Sequence, residues 1–360
     1  MLRGPSFRWM AAIPPIVGCD MKAIQIVGKK DIRVVDVNEP KMLPNHSKIK
    51  VLSMGVCGSD VHAYAGKNPN VTYPVIIGHE IIGEIVEIGE GENPRQLRVG
   101  DRVVLNPYLY CGTCYACEQG QTNACTSLKC LGVQTDGAMC ETFVHPTKLM
   151  IKVPDSIDNE LGAVIEPTVI ALHALHRLQA KAGEHVVIIG AGCIGLLTAI
   201  VAKAKGLHVI VSDVVDERLE VATALGADGT INPMKENAVE KLLEMTNGRL
   251  AECVCEMSGA PAAVRSTLDY AASTGRIALT GWPDRDVELP TAVITRKELK
   301  ILGSRTGVTE EFEEVVSMIE EGKIDPRKII SRVVAFNELP ETIAALDKDP
   351  GMAIKVVALR

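Results

Sequence analysis

Aromatic residues are scarce. Phe, Trp and Tyr together make up 3% of the 360 residues, so Val, Ile, Leu and Ala must fill any core the chain builds. That bias suits a buried parallel sheet flanked by helices. An excess of positive charge is also missing. The net charge of −7 argues against nucleic acid and anionic membrane surfaces as partners, since both reward basic patches. No apolar run reaches the roughly 20 residues that a bilayer-spanning helix needs. Internal repeats and low-complexity tracts are absent, and with 47% apolar and 23% charged residues the composition is that of a globular protein, not a disordered one.

The length exceeds one compact core and fits two domains. Eleven cysteines could suggest a secreted disulfide scaffold, but such scaffolds are short chains. Four of them are spaced in a way that favours metal, which makes the reducing cytoplasm the expected compartment. The first twenty residues stand apart. Arg3 and Arg8 precede a modest apolar stretch ending at Cys19, faintly like a lipoprotein export signal, but Pro14 and Pro15 interrupt it. Strand-like sequence begins at Met21, itself a workable start, so residues 1–20 read as an extension outside the fold.

From Met21 to about Val153, short β-rich runs (48–54, 81–88, 102–105) are broken by Gly, Pro and Asn, the texture of an antiparallel or barrel-like β domain. From Leu161 the texture changes. A helix-like stretch over 163–180 is followed by alternating strands and helices at 185–189, 194–204, 208–212 and 217–224. Further strands follow at 253–257, 276–280 and 299–303, as expected of a parallel sheet of βαβ units. A helix over 312–319 and a last strand over 354–359 close the chain.

The strand at 185–189 runs straight into Gly190-Ala-Gly192-Cys193-Ile194-Gly195 and an apolar helix. A lone Gly-x-Gly-x-x-Gly is weak, but a strand before it, a helix after it and an acidic residue ending the next strand make it specific. Gly190 permits the tight turn, Gly192 lets a pyrophosphate approach the backbone, and Gly195 lets the helix sit close to the sheet. The phosphates then meet free N–H groups at the helix start. Asp213, at the end of the next strand, can accept hydrogen bonds from the adenosine ribose and would repel a 2′-phosphate, which favours NAD over NADP. A helix N-cap is the plainer role for Asp213. Arg218 could stack on adenine.

Cys111-Gly-Thr-Cys114-Tyr-Ala-Cys117, followed by Cys125, offers four thiolates that can wrap a tetrahedral ion. Four protein ligands leave no open position, so this site is expected to be structural. The cysteine lobe, Gly78-His79-Glu80, Cys57-Gly58-Ser59-Asp60 and the Gly190–Gly195 fingerprint together resemble the zinc-containing medium-chain dehydrogenase/reductase family, over essentially Met21 to Arg360. The resemblance implies an α/β architecture: a GroES-like β-barrel catalytic domain (21–165 and 306–360) carrying two zinc ions, and a doubly wound Rossmann NAD-binding domain (166–305). It also implies a homodimer or homotetramer, and places Ser258 and Gly281 with the fingerprint residues around the cofactor.

Within the family, Glu166-Pro167 stands where liver-type alcohol dehydrogenases carry a cysteine, so the chain is most similar to the sorbitol and threonine dehydrogenase branch. That branch implies a catalytic zinc held by Cys57, His79 and a glutamate, with Glu80 and Glu166 trading places with water. Zinc acidifies the substrate hydroxyl and hydride passes to the nicotinamide. Ser59 resembles the family's hydroxyl relay, His62 its outer base, and Asp60 would orient His79. Arg305 is similar in position to an arginine facing the polyol in sorbitol dehydrogenases. Together with the stretch 131–137 it most resembles bacterial dehydrogenases that oxidise L-galactonate or L-gulonate at carbon 5. A guanidinium matches a carboxylate better than neutral hydroxyls, so an aldonate is expected. A polyol or L-threonine is the nearest alternative. A non-catalytic sensor or structural protein would be marked by loss of a metal ligand, of Ser59 or of a fingerprint glycine, none of which is lost, and the intact metal set speaks against a zinc-free quinone reductase.

Overall fold

The structure is a computed structural model, which describes residues 21–360; the expectations for residues 1–20, Cys19 included, lie outside that range. No helix among the described residues is long and apolar enough to cross a membrane.

Residues 185–303 build a six-stranded parallel sheet whose spatial order is Gly229–Ile231, His208–Ser212, His185–Ile189, Ala251–Glu256, Ala271–Leu279, Lys300–Gly303. This is the doubly wound order, and the strand sequence reverses beside His185–Ile189, where a crevice opens at the carboxyl ends of the strands. Val186, Val187, Ile188, Val209, Val211 and Val254 are fully buried, as expected for strands covered by helices on both faces. The fingerprint helix starts at Cys193 (Cys193–Ala204).

The rest is mostly β. A mixed sheet is ordered Met150–Lys152, Arg102–Leu105, Glu80–Ile88, His46–Val56, Lys355–Leu359, Ile330–Ala335, with Thr142–Pro146 also pairing His46–Val56. The last strand of the chain thus lies antiparallel beside the third, Val356 opposite Val56. Phe312 heads the largest fully buried side chains among the described residues, the others being Ile, Leu and Met, so aliphatic side chains fill the core as the composition requires.

Three features depart from the sequence reading. The helix expected over 163–180 is Ile165–Leu178, preceded by a short turn of helix at Asn159–Gly162. The strand Ile330–Ala335 and the helix Leu339–Lys348 were not expected at all. Helix Thr309–Glu320 follows the Rossmann strands, yet its buried face (Phe312, Val315, Val316, Ile319) joins the core around Ile165–Leu178 and the parallel sheet. Leu339, Ile343 and Leu346 instead pack into the β core.

Glu311 joins those two helices. Its carboxylate accepts from His173 Nδ1 at 3.0 Å and His176 Nδ1 at 2.8 Å, and from the Val308 amide at 2.9 Å. Burial would raise its pKa, but the two imidazoles and the amide prevail and hold it down at about 2. A carboxylate with a depressed folded pKa contributes stability above its ordinary pKa, here 4.5, and loses it as pH falls toward 2. Glu311→Gln should therefore lower the melting temperature by about 3 °C at pH 7 and by much less at pH 3. Calorimetry at the two pH values tests this; an equal loss at both would remove the electrostatic explanation.

Candidate metal and cofactor site

Cys57 ends the strand His46–Val56 and caps the helix Gly58–Tyr64: its sulfur accepts from the Ser59 amide at 3.5 Å, while Asp60 Oδ2 accepts from the Cys57 amide at 2.9 Å. This reciprocal cap fixes the thiol at the helix entrance. His79 and Glu80 arrive from the turn at Gly78, whose φ of +103° suits glycine, and Glu80 opens the next strand, opposite Gly55. Ligand-type atoms of Cys57, His79 and Glu80 all lie within 4.8 Å of one another, and His79 and Glu80 are buried. One soft thiolate, one imidazole and one carboxylate make a three-donor set that fits zinc with an open position. The orphaned buried His79 Nδ1 shows that the ring is not engaged elsewhere through that atom.

Asp60 does not hydrogen-bond His79 as expected. Its Oδ1 stands 4.0 Å from Nδ1 and has no partner, because the other oxygen is committed to capping. Glu166 lies outside the close trio. It occupies the first turn of Ile165–Leu178, and the Tyr108 hydroxyl donates to its carboxylate. Burial pushes Glu166 up to about 7, the His79 charge pulling the other way and the neighbouring Glu80 adding to the rise.

Two participants escaped the sequence reading. Lys355, 2% exposed, forms a buried ion pair with Glu80 and donates to the Val56 carbonyl at 3.1 Å. Its only sequence signal is a lysine in the otherwise apolar strand Lys355–Leu359. Tyr108 gives no signal, since a lone tyrosine in a β run is ordinary core.

The cysteine lobe is a separate cluster. Cys111, Cys114, Cys117 and Cys125 place their sulfurs within 4.8 Å of one another, close to the edge of about 3.8 Å for a tetrahedron with zinc–sulfur bonds of 2.3 Å. Backbone amides point at the sulfurs, Cys111 N to Cys125 at 3.3 Å and Ser127 N to Cys125 at 3.4 Å. Amides of Thr126 and Cys117 hold the Cys114 thiol down at about 5, while burial and the Cys114 sulfur push Cys117 up to about 12, so the cluster must give up a proton when metal binds. Asn123, in the same lobe, was also missed.

Between the two bodies of the chain a cleft of about 280 Å³ is lined by Cys57, His62, Gly192, Cys193, Arg218 and Asp347, among others. It brings the predicted outer base to the predicted phosphate loop. The Ser59 hydroxyl is buried with no partner. Gly190 has φ +101°, a Cβ on Gly195 would sit 1.8 Å from the Gly190 carbonyl, and a Cβ on Gly192 would meet nothing within 4 Å, which leaves room for a diphosphate at the amide of Cys193 and Ile194. Asp213 is no helix cap: the next helix, Asp216–Ala224, is capped at Val215. Instead Asp213 accepts from the amides of Ala191 (2.6 Å) and Val215 (2.9 Å), bracing the phosphate loop. Glu256, fully buried, takes the amides of Ser258 and Gly259 and the Ser258 hydroxyl, and Gly281 abuts Gly259 so closely that a Cβ would sit 2.1 Å from its nitrogen. The Arg305 side chain is exposed, while its carbonyl accepts from Asn123.

Residues 43–155 match the alcohol dehydrogenase GroES-like domain family and residues 193–321 the zinc-binding dehydrogenase family. The chain is 47% identical, over 94% of its length and 98% of the other's, to an uncharacterized zinc-type alcohol dehydrogenase-like protein of Haemophilus influenzae. It is 36% identical to the L-galactonate-5-dehydrogenase of Escherichia coli K12, over 83% of this chain and 87% of that one. A crystal structure of the alcohol dehydrogenase rspB from Escherichia coli CFT073, complexed with NADH, superimposes with a TM-score of 0.88 at 33% identity, covering 94% of this chain and 99% of that one.

Gly55 leaves the gap that the Glu80 carboxylate occupies. A Cβ there would lie 1.9 Å from Glu80 Oε2 and 3.0 Å from the Ala163 carbonyl, so Gly55→Ala must displace the glutamate. Metal analysis of purified Gly55→Ala should read about one zinc per chain instead of about two, with the lobe still loaded. Full occupancy in the variant would show that Glu80 does not need this gap.

Proposed function

Because the chain belongs to the zinc-containing medium-chain dehydrogenase/reductase family, in its sorbitol- and threonine-dehydrogenase-like branch, we propose that it oxidises a secondary hydroxyl of a sugar acid, an aldonate, with NAD. The family is one of oxidoreductases acting on CH–OH groups. What carries the site assignment is the convergence of Cys57, His79 and Glu80 within 4.8 Å beside a cleft that also holds His62 and the Gly192–Cys193 loop.

When bound, zinc supplies Lewis-acid charge that acidifies the substrate hydroxyl, and NAD supplies the hydride acceptor. Cys57, His79 and Glu80 would hold the catalytic ion, and Cys111, Cys114, Cys117 and Cys125 a second, structural one. Glu166, which accepts from the Tyr108 hydroxyl just outside the trio, would be able to exchange with Glu80 as ligand. Ser59 would relay the substrate hydroxyl's proton by accepting it while giving its own hydroxyl hydrogen onward, its buried oxygen having no competing partner. His62, which lines the cleft, would take up the released proton and pass it to solvent. Gly190, Gly192, Cys193, Ile194 and Gly195 cradle the diphosphate, Ser258 and Gly281 shape the nicotinamide end, and Asp213 faces the adenosine ribose with lone pairs left after bracing Ala191, Arg218 covering the adenine. Cysteine ligands must stay reduced, which suits the cytoplasm, and a homodimer or homotetramer is the expected assembly.

The substrate class rests on Arg305, whose exposed guanidinium can offer two parallel donors to a carboxylate. Arg305→Met should cost kcat/KM on L-galactonate on the order of 1.5–3 kcal/mol more than on the matching alditol. Steady-state kinetics on the two substrates decide: equal losses would favour plain polyol oxidation.

A further inference from the structure

A line of buried hydrogen bonds links the helices Thr309–Glu320 and Ile165–Leu178 to the cysteine lobe and ends on the main chain of Arg305. It starts at Glu311, whose carboxylate lies 3.0 Å from His173 Nδ1. His173 Nε2 lies 3.1 Å from Asn123 Nδ2, and Asn123 Nδ2 donates to the Arg305 carbonyl at 2.7 Å. His173, Asn123 and Glu311 are all buried, Asn123 at 4% exposure. A carboxylate can only accept, so His173 Nδ1 carries a hydrogen, and Asn123 Nδ2 can only donate, so Nε2 accepts. Both hydrogens of the Asn123 amide are then used, one on the imidazole and one on the carbonyl. The reversed amide would set its oxygen against two acceptors.

The turn held this way needs holding. Thr306 adopts φ +51°, a left-handed conformation that strains a β-branched residue and persists only where the surroundings enforce it. On its other side, the Ser304 amide donates to the Leu279 carbonyl at 2.9 Å, which fixes the start of the turn to the sheet. Ser304 Oγ, Thr306 Oγ1 and Asn123 Oδ1 are buried without partners, so hydrogen-bonding capacity remains on both sides of Arg305. Asn123 itself belongs to the cysteine lobe, between Cys117 and Cys125.

We propose that Asn123 is a positioning residue for substrate binding: by gripping the Arg305 carbonyl it makes the four-cysteine lobe the fixed reference for the turn 304–306. His173 and Glu311 orient it from behind. The lobe then has a second task besides folding, since it sets where the Arg305 side chain starts. This rests on the reading that Arg305 meets the substrate.

The test uses the full zinc-loaded chain with NAD present, as wild type, Asn123→Ala, His173→Ala and His173→Gln. Glutamine keeps one donor and one acceptor and can stand in for the imidazole. Hydrogen exchange read by mass spectrometry should quicken about tenfold over residues 303–307 in both alanine variants and stay near wild type in His173→Gln. Segments 111–127 and 190–195 should be unchanged. On L-galactonate, or on the alditol if that is the substrate turned over, KM should rise about tenfold while kcat and the KM for NAD stay within about twofold. Unchanged exchange over 303–307, or equal loosening of the lobe with loss of zinc, overturns the proposal. Faster exchange with an unmoved KM overturns the substrate role, and if Arg305→Met is also silent the fault lies in the reading of Arg305. Should Asn123→Ala fail to fold, the contrast between His173→Ala and His173→Gln decides alone.

Discussion

The candidate metal site depends on one buried ion pair. Lys355 and Glu80 are each 2% exposed, and desolvating two charges costs several kcal/mol per ion unless geometry and further hydrogen bonds offset it. Here the ammonium also bonds the Val56 carbonyl, one residue before Cys57. The pair therefore fastens the last strand of the chain to the two segments that deliver Cys57, His79 and Glu80. Removing the lysine would leave an uncompensated buried carboxylate, and removing Gly55 would push that carboxylate out of its gap. A metal-type cluster assembled from residues 57, 79 and 80 is thus locked by residue 355.

The cleft follows from the same junction. Strand Lys355–Leu359 pairs with His46–Val56, and the loop before it supplies Ile354 and Ala353 to the cleft that Gly192 and Cys193 also line. The doubly wound sheet puts its strand-order reversal at that wall, so the phosphate loop and Cys57 face one space, with the Glu256-braced loop at Ser258 packed against Gly190. Close approaches at Gly195 and Gly281 let the loops pack without side chains between them.

Much of this was legible in the sequence because the informative residues sit in local patterns. The fingerprint glycines, the cysteine lobe and Gly78-His79-Glu80 each combine short spacing with chemistry that few other arrangements require. The parallel sheet was legible because buried strands read as continuous Val/Ile runs. What stayed hidden depends on long-range pairing. Lys355 looks like any strand lysine until Glu80 is placed against it, and Asn123 and His173 look like ordinary polar residues until Arg305 and Glu311 close the line. Asp213 was read for its chain position, which holds, but its contacts to Ala191 and Val215 depend on a loop geometry no pattern encodes. The helix Leu339–Lys348 was missed although proline in its first turn is a start signal, because its apolar face of Leu339, Ile343 and Leu346 finds its partner only in the distant β core.

The central claim is that two differently built donor sets hold two zinc ions, one closed and one with a free position. Diffraction data from crystals of the zinc-loaded protein, collected on either side of the zinc absorption edge, test it most directly. The account predicts two anomalous peaks per chain, one surrounded by Cys111, Cys114, Cys117 and Cys125, the other touching Cys57, His79 and Glu80 with a non-protein ligand completing it. A single peak in the cysteine lobe, with no zinc at Cys57 and Glu80 still bound only to Lys355, would contradict it.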